Sequence, residues 1–245
     1  MNKKYTYVWI SLIILIFGIL TVPSIVDRIK SGTIVKNDRM NMAPEEVNQA
    51  SKIGFITRNG QKRKVPTFNF INQDSVYISN TDYLGKVYVV EFFFTSCPSI
   101  CPEMTKNLVG LQETFKTNEA FGVASFSITP HFDTPAVLKA YAKQYGITNP
   151  DWNLMTGDKE EILKLANSGF NIFAAEVSDA PGGFEHSGLF ALVDKKGYLR
   201  STTDEYGNPI VYYRGAISKE LGKNSQGETE EISILEEDIA KLLQE

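Results

Sequence analysis

An apolar, strand-like segment, Val87 to Phe94, runs straight into the only two cysteines of the chain, Cys97 and Cys101, and a helix-like segment, Glu103 to Phe115, follows them. A pair of thiols where a strand gives way to a helix is placed for sulfur chemistry. Pro98, Ser99 and Ile100 separate the cysteines, so the spacing is C-x-x-x-C rather than C-x-x-C. Positions i and i+4 of a helix share a face. Two thiolates so placed converge on one soft metal ion or, if the geometry allows, close a disulfide. Two cysteines in 245 residues are too few for a disulfide framework. Two cysteines buried merely as small hydrophobes rarely fall four apart, each followed by proline.

The N-terminus predicts a membrane anchor. Tyr7 to Val26 is a run of 20 residues without a charge, and at about 1.5 Å per residue it reaches roughly 30 Å, the hydrocarbon thickness of a bilayer. Tyr5, Tyr7 and Trp9 sit where an interfacial aromatic belt falls, and Lys3 and Lys4 precede the run. No small-x-small cleavage site follows it, so the reading is an uncleaved anchor rather than a removed signal peptide. Lys3 and Lys4 favour a cytoplasmic N-terminus, a bias weakened by Arg28 and Lys30. The expected location is the cytoplasmic membrane, single-pass, with the soluble domain on the periplasmic or outer face. That compartment oxidises thiols. The expected organisation is an anchor over 1–26, a polar juxtamembrane linker over 27–52, and one globular domain over 53–245.

Hydrophobic content of 42% and aromatic content of 11% suffice for a core in that domain. The formal net charge of −4 and the absence of a basic stripe with interleaved aromatics argue against nucleic acid as a partner. Val65 to Phe70 alternates like a strand and Val76 to Ile78 offers a second. Gly122 to Ile128 is another apolar strand. A helix opens at Asp133-Thr134-Pro135, where Asp133 or Thr134 can cap and Pro135 suits the first turn, and it ends at Gly146. Trp152 to Met155 and Asp158 to Ala166 read as strand and helix. Leu189 to Val193 and Tyr198 to Thr202 form a hairpin. Asp204 to Pro209 is a turn-rich insertion followed by a strand-like Ile210 to Tyr213. A last helix begins near Thr229, with Ile232, Leu235, Ile239, Leu242 and Leu243 on one face. Strands alternating with helices give an α/β layer fold. The order is thioredoxin-like, with a central mixed sheet flanked by helices and preceded by one N-terminal transmembrane helix.

The chain has two histidines, His131 and His186. His186 follows Gly182-Gly183 and precedes the strand Leu189 to Val193. In a thioredoxin-like fold, the loop before that strand faces the cysteine-bearing turn, which makes His186 the third ligand. His131 lies between a strand and a helix and reads as exposed or locally hydrogen-bonded. Met104, one turn beyond Cys101, reads as core filling. Thiolate selects copper(I), zinc or iron–sulfur clusters, and imidazole suits copper and zinc. Structural zinc normally takes four ligands and iron–sulfur clusters four cysteines. Two thiolates and one imidazole fit trigonal copper(I), and a weak fourth ligand admits copper(II). Oxidation of the same thiols to a disulfide abolishes metal binding.

These motifs, in this order, resemble the Sco/SenC family, the copper-binding thioredoxin-like proteins of cytochrome c oxidase assembly. The resemblance rests on Leu84-Gly85-Lys86, on Phe93 to Met104 with its cysteines, on Asp133-Thr134-Pro135, and on Glu185-His186-Ser187 followed by Leu192-Val193-Asp194 and Gly197. It covers roughly residues 54 to 215. It implies that Cys97, Cys101 and His186 are copper ligands. It also implies delivery of copper to the binuclear copper centre of the oxidase, or reduction of that centre's cysteines beforehand. The implied partners are the copper-centre subunit of cytochrome c oxidase and an upstream copper donor or thiol reductant. Where the family often has an acidic residue before the proline near position 130, this chain has Thr129. The stretch from Thr202 to Tyr213 is longer than expected, with partner docking one hypothesis for it. The competing readings are a membrane-tethered thiol–disulfide oxidoreductase using Cys97 and Cys101 without metal, against which the spacing argues, and a redox or copper sensor, for which no output domain is present. A peroxidase fits less well still.

Overall fold

The computed structural model describes residues 12, 15–17, 19, 53–177, 184–203 and 210–245. Leu12, Leu15, Ile16, Phe17 and Ile19 are helical and exposed. The rest of the expected membrane segment, the linker over 27–52 and the insertion Asp204 to Pro209 lie outside the described residues. Among the described residues, no helix is long and apolar enough to cross a membrane.

The strands are β1 (Gly54–Phe55), β2 (Thr57–Arg58), β3 (Gln61–Lys62), β4 (Asn69–Asn72), β5 (Tyr77–Ser79) and β6 (Val87–Phe93). Helix α1 (Cys101–Thr114), β7 (Phe121–Ser127), α2 (Pro135–Tyr145), β8 (Trp152–Thr156) and α3 (Lys159–Lys164) follow, with α3 running into a π-helical segment over Leu165–Phe170. The chain ends with β9 (Ala174–Glu176), β10 (Phe184–His186), β11 (Leu189–Val193), β12 (Leu199–Ser201), β13 (Tyr213–Arg214) and α4 (Ile232–Gln244). The main sheet is mixed, in the order β1-β12-β11-β6-β7-β8-β4-β5, with β13 also paired to β11. The pairs β6–β7 and β7–β8 are parallel, and β11 and β4 flank them antiparallel. An α/β layer with a mixed sheet and flanking helices is the architecture that the alternation of patterns predicts.

Every residue of β6 and of β7 is buried, as expected of central strands covered on both faces. Adjacent residues on β6 serve opposite faces. Phe92 packs with Phe126 and Phe170, while its neighbour Phe93 packs with Tyr141 of α2. Helix α1 buries Cys101, Met104, Thr105, Leu108 and Leu111 along one stripe. Helix α4 buries Ile232, Leu235, Ile239 and Leu242, as its spacing predicts, and also Asp238, which accepts a 2.7 Å bond from the Tyr213 hydroxyl.

Boundaries shift from the expected ones where side-chain pattern and backbone pairing part company. The first predicted strand, from Val65, forms a strand only from Asn69, while Val65 donates its N–H to the Gly197 carbonyl at 2.9 Å. The predicted strand Ile210 to Tyr213 is reduced to Tyr213–Arg214, where the chain returns to pair with Leu189 and Phe190. Apolar Ile210 and Val211 pack on the core without entering a ladder.

Candidate metal centre

The local sequence decides where each cysteine sits. Cys97 precedes Pro98, and a residue before proline is disfavoured in helical conformation. Cys97 therefore lies in a turn, its N–H donated to the Phe94 carbonyl at 3.3 Å, and the helix begins only at Cys101. Pro102 falls in the first turn, where its missing N–H costs nothing. The two thiols thus converge because the turn folds back on the helix start, not because they share a helical face. Ile100, the residue at the N-cap of α1, supplies no side-chain cap.

His186 arrives from the other side. Strand β11 pairs antiparallel with β6, Ala191 opposite Val90, so the chain preceding Leu189 runs back toward the exit of β6 and the cysteine turn. His186 closes β10, which pairs with β9 as a two-stranded sheet of its own, with His186 opposite Ala174. It is 8% exposed, with its ring edge-on to Phe94, where the sequence predicts a loop. Between His186 and β11 the chain must pass Ile100. Gly188 permits this at a φ of +63°, where a Cβ would lie 3.0 Å from both Ile100 Cδ1 and Ala216 Cβ.

Cys101 Sγ lies 3.1 Å from His186 Nε2, and the donor atoms of Cys97, Cys101 and His186 all lie within 4.8 Å of one another. Both cysteines are buried and unbridged. The pKa of Cys97 is lowered to about 3, chiefly by hydrogen bonding from Cys101, opposed by burial and aided by His186, the Cys101 N–H and Ser99. Cys101 keeps its proton, pushed far up by the facing Cys97 sulfur and by burial. The structure brings the three predicted residues together and leaves His131 apart. His131 is exposed and packs on Phe132 and Phe184. Met104 is fully buried in the core.

Sequence reasoning named Asp133 only as a cap candidate and motif residue and passed over Glu91, and both carboxyl groups are buried nearby. Asp133 is fully buried and accepts hydrogen bonds from Thr95, Ser127 and Thr129. Glu91, on the central strand β6, is 2% exposed. One oxygen accepts from the Ser125 hydroxyl at 2.6 Å and the other has no partner. The signal for Glu91 was visible as a charge inside an otherwise apolar run.

Comparison with known proteins places the whole arrangement. The family model described as SCO1/SenC matches residues 56–218. The SCO1 protein homolog of Bacillus subtilis is 33% identical over 139 residues, covering 55% of this chain and 70% of that protein. A protein of Stutzerimonas stutzeri whose name describes it as copper-binding is 28% identical over 143 residues, covering 57% of this chain and 69% of that one. Among solved structures, BsSco, described with a disulfide switch and as a member of the Sco family of cytochrome c oxidase assembly proteins, matches with a TM-score of 0.57 at 27% identity, over 74% of this chain and 94% of that one.

Proposed function

The chain belongs to the SCO1/SenC family, and from that premise we propose that Cys97, Cys101 and His186 bind one copper ion and pass it on in the assembly of cytochrome c oxidase. The observation that carries this reading is the convergence of two sulfurs and one imidazole nitrogen within 4.8 Å, on three buried residues. Thiolate and imidazole are donors that copper(I) accepts in low coordination, and the relative from Stutzerimonas stutzeri is named for copper binding. On capture, Cys97, whose pKa is lowered, binds as the thiolate. Cys101 gives up its proton, and His186 contributes the Nε2 lone pair. The membrane segment over 1–26 tethers the domain at the outer face of the cytoplasmic membrane, within reach of an oxidase subunit carrying the receiving copper centre.

A second reading concerns the same thiols without metal. A low-pKa thiolate beside a protonated thiol is the arrangement of a dithiol reductant, and the matched BsSco structure is described with a disulfide switch. In that reading the Cys97 thiolate attacks a disulfide of the acceptor protein, and the Cys101 thiolate, after losing its proton, resolves the mixed disulfide. The acceptor is then reduced to two thiols and the chain is left with a Cys97–Cys101 disulfide.

The test is an anaerobic titration of the reduced full chain with copper(I) against a competing chelator, repeated on Cys97→Ala, Cys101→Ala and His186→Ala. One-to-one binding that is lost in both cysteine variants and weakened in the histidine variant supports copper transfer. Weak binding indifferent to His186 removes the three-donor site and leaves the dithiol reading.

A further inference from the structure

We propose that Asp133 is the positioning residue of this centre: its carboxylate ties down the turn that carries Cys97 and so sets the spacing of the thiolate to Cys101 and His186. The proposal rests on the copper reading above for its main readout.

The regular pairing of β6 and β7 ends just short of the site, with the Ile128 N–H donated to the Phe93 carbonyl at 2.9 Å. Beyond that bond the chain leaves β6 through Phe94 and Thr95 toward Cys97. What holds it there is the Asp133 carboxylate. Oδ2 accepts the Thr95 N–H at 3.1 Å, and Oδ1 accepts the Thr95 hydroxyl at 2.5 Å. Oδ2 also takes the hydroxyls of Ser127 at 2.5 Å and Thr129 at 2.9 Å. One carboxylate therefore joins the segment leaving β6 to the end of β7 and to the start of α2, two residues before the first cysteine.

Asp133 is itself fixed. Its N–H is donated to the Thr129 carbonyl at 3.0 Å, and the next residue, Thr134, caps α2 by accepting from the Val137 N–H. With the cap filled by Thr134, the Asp133 side chain is free to turn the other way. Thr129, standing where the family often has an acid, serves here as a donor to it. All four donors converge on a side chain that is fully buried, so water does not compete for these bonds. Groups that orient a ligand-bearing segment in this way typically cost 10- to 100-fold in metal affinity when removed.

The test uses the full chain with Asp133→Asn, Thr95→Val and Thr95→Ser. An amide turns donor hydrogens toward donors and breaks part of the clamp. Valine removes the Thr95 hydroxyl, and serine keeps it. Three quantities are read: copper(I) affinity by anaerobic competition, the equilibrium of the Cys97–Cys101 disulfide with glutathione in the absence of metal, and the melting temperature. The expected result is copper(I) binding weakened about 10- to 100-fold in Asp133→Asn, a smaller loss in Thr95→Val, none in Thr95→Ser, and a disulfide equilibrium displaced in the same order. Unchanged affinity and an unchanged disulfide equilibrium in a folded Asp133→Asn chain overturn the proposal. If Asp133→Asn does not fold, equal behaviour of Thr95→Val and Thr95→Ser overturns it instead. If the native chain holds no copper(I), the copper reading falls by itself. The positioning role is then decided by the disulfide equilibrium, which must shift in Asp133→Asn for the proposal to stand.

Discussion

Glu91 makes the stability of this domain depend on pH in a direction opposite to that of an ordinary carboxylate. Burial raises its pKa from 4.5 to about 7, against the Ser125 hydroxyl bond, which pulls the other way. In the unfolded chain the group ionises near its ordinary value. Between about pH 4.5 and 7 the folded state therefore holds a proton that the unfolded state has lost, and stability falls as pH rises through that window. At about 1.4 kcal/mol per pH unit, the full loss is about 3 kcal/mol by pH 8. Because Glu91 is 2% exposed with one oxygen unpartnered, solvent screening does little to reduce it. Glu91→Gln keeps the shape and removes the titration, so the variant loses stability relative to the native chain at pH 4.5 and regains about 3 kcal/mol of that difference by pH 8. The assay is equilibrium denaturant unfolding followed by the fluorescence of Trp152, whose Nε1–H bonds the same Ser125 hydroxyl at 3.0 Å, measured at half-unit steps on both chains. The difference between the chains isolates Glu91 from every other titrating group. A difference that stays flat from pH 4.5 to 8 refutes the reasoning, because it means Glu91 is solvated or paired in the folded state.

Three further outcomes follow from the site. Alkylation of Cys97 by iodoacetamide stays nearly constant from pH 8 to pH 5, because a thiolate with a pKa of about 3 persists through that range; a tenfold fall per pH unit, the behaviour of an ordinary thiol, contradicts it. Gly188→Ala places a Cβ at positive φ against Ile100 and Ala216, and is expected to cost about 1–3 kcal/mol, seen as a lower melting temperature together with weaker copper(I) binding; an unchanged melting temperature removes the steric argument. Asn167, in the π-helical segment, bonds both backbone groups of Ala174, the residue opposite His186. Asn167→Ala is expected to weaken copper(I) binding about threefold to tenfold, the worth of about one hydrogen bond, while leaving Cys97 alkylation unchanged; an equal effect on both shows that it acts on the whole fold.

The parts of this molecule that were legible from sequence are those with a period or a fixed partner. The strand leading into the cysteines and the next strand, β7, follow from buried apolar runs, and α2 follows from Thr134, Pro135 and Gly146, each at the position its backbone chemistry suits. His186 was reachable because in a thioredoxin-like fold the loop before the late strand faces the cysteine turn, and the pairing of β11 with β6 places it there. The Asp133 clamp was not legible. Its members are short polar residues in turns, without periodicity, and Asp133 and Thr134 looked equally able to cap α2. Only the backbone decides that Thr134 does so. The helical i, i+4 argument for the cysteines reached the right convergence through the wrong geometry, since proline after Cys97 keeps that residue out of the helix.

The two halves of the centre are supported unequally, and that bears on how a bound ion leaves. The cysteine half stands on the central strand β6, the first turn of α1 and the buried Asp133 carboxylate. To move it means breaking ladder bonds and desolvated hydrogen bonds together. The histidine half stands on β9–β10, a two-stranded sheet outside the main ladder, tied by part-buried bonds from Asn167 and by Lys159, which pairs with Glu176 and lies over the Phe184 ring. Local opening follows the path of fewest buried contacts. If the three residues hold copper as proposed, His186 is the donor expected to yield first, leaving a dithiolate-bound ion open on one side to an incoming ligand, and Asn167→Ala is expected to perturb this half while the thiolate chemistry of Cys97 stays intact.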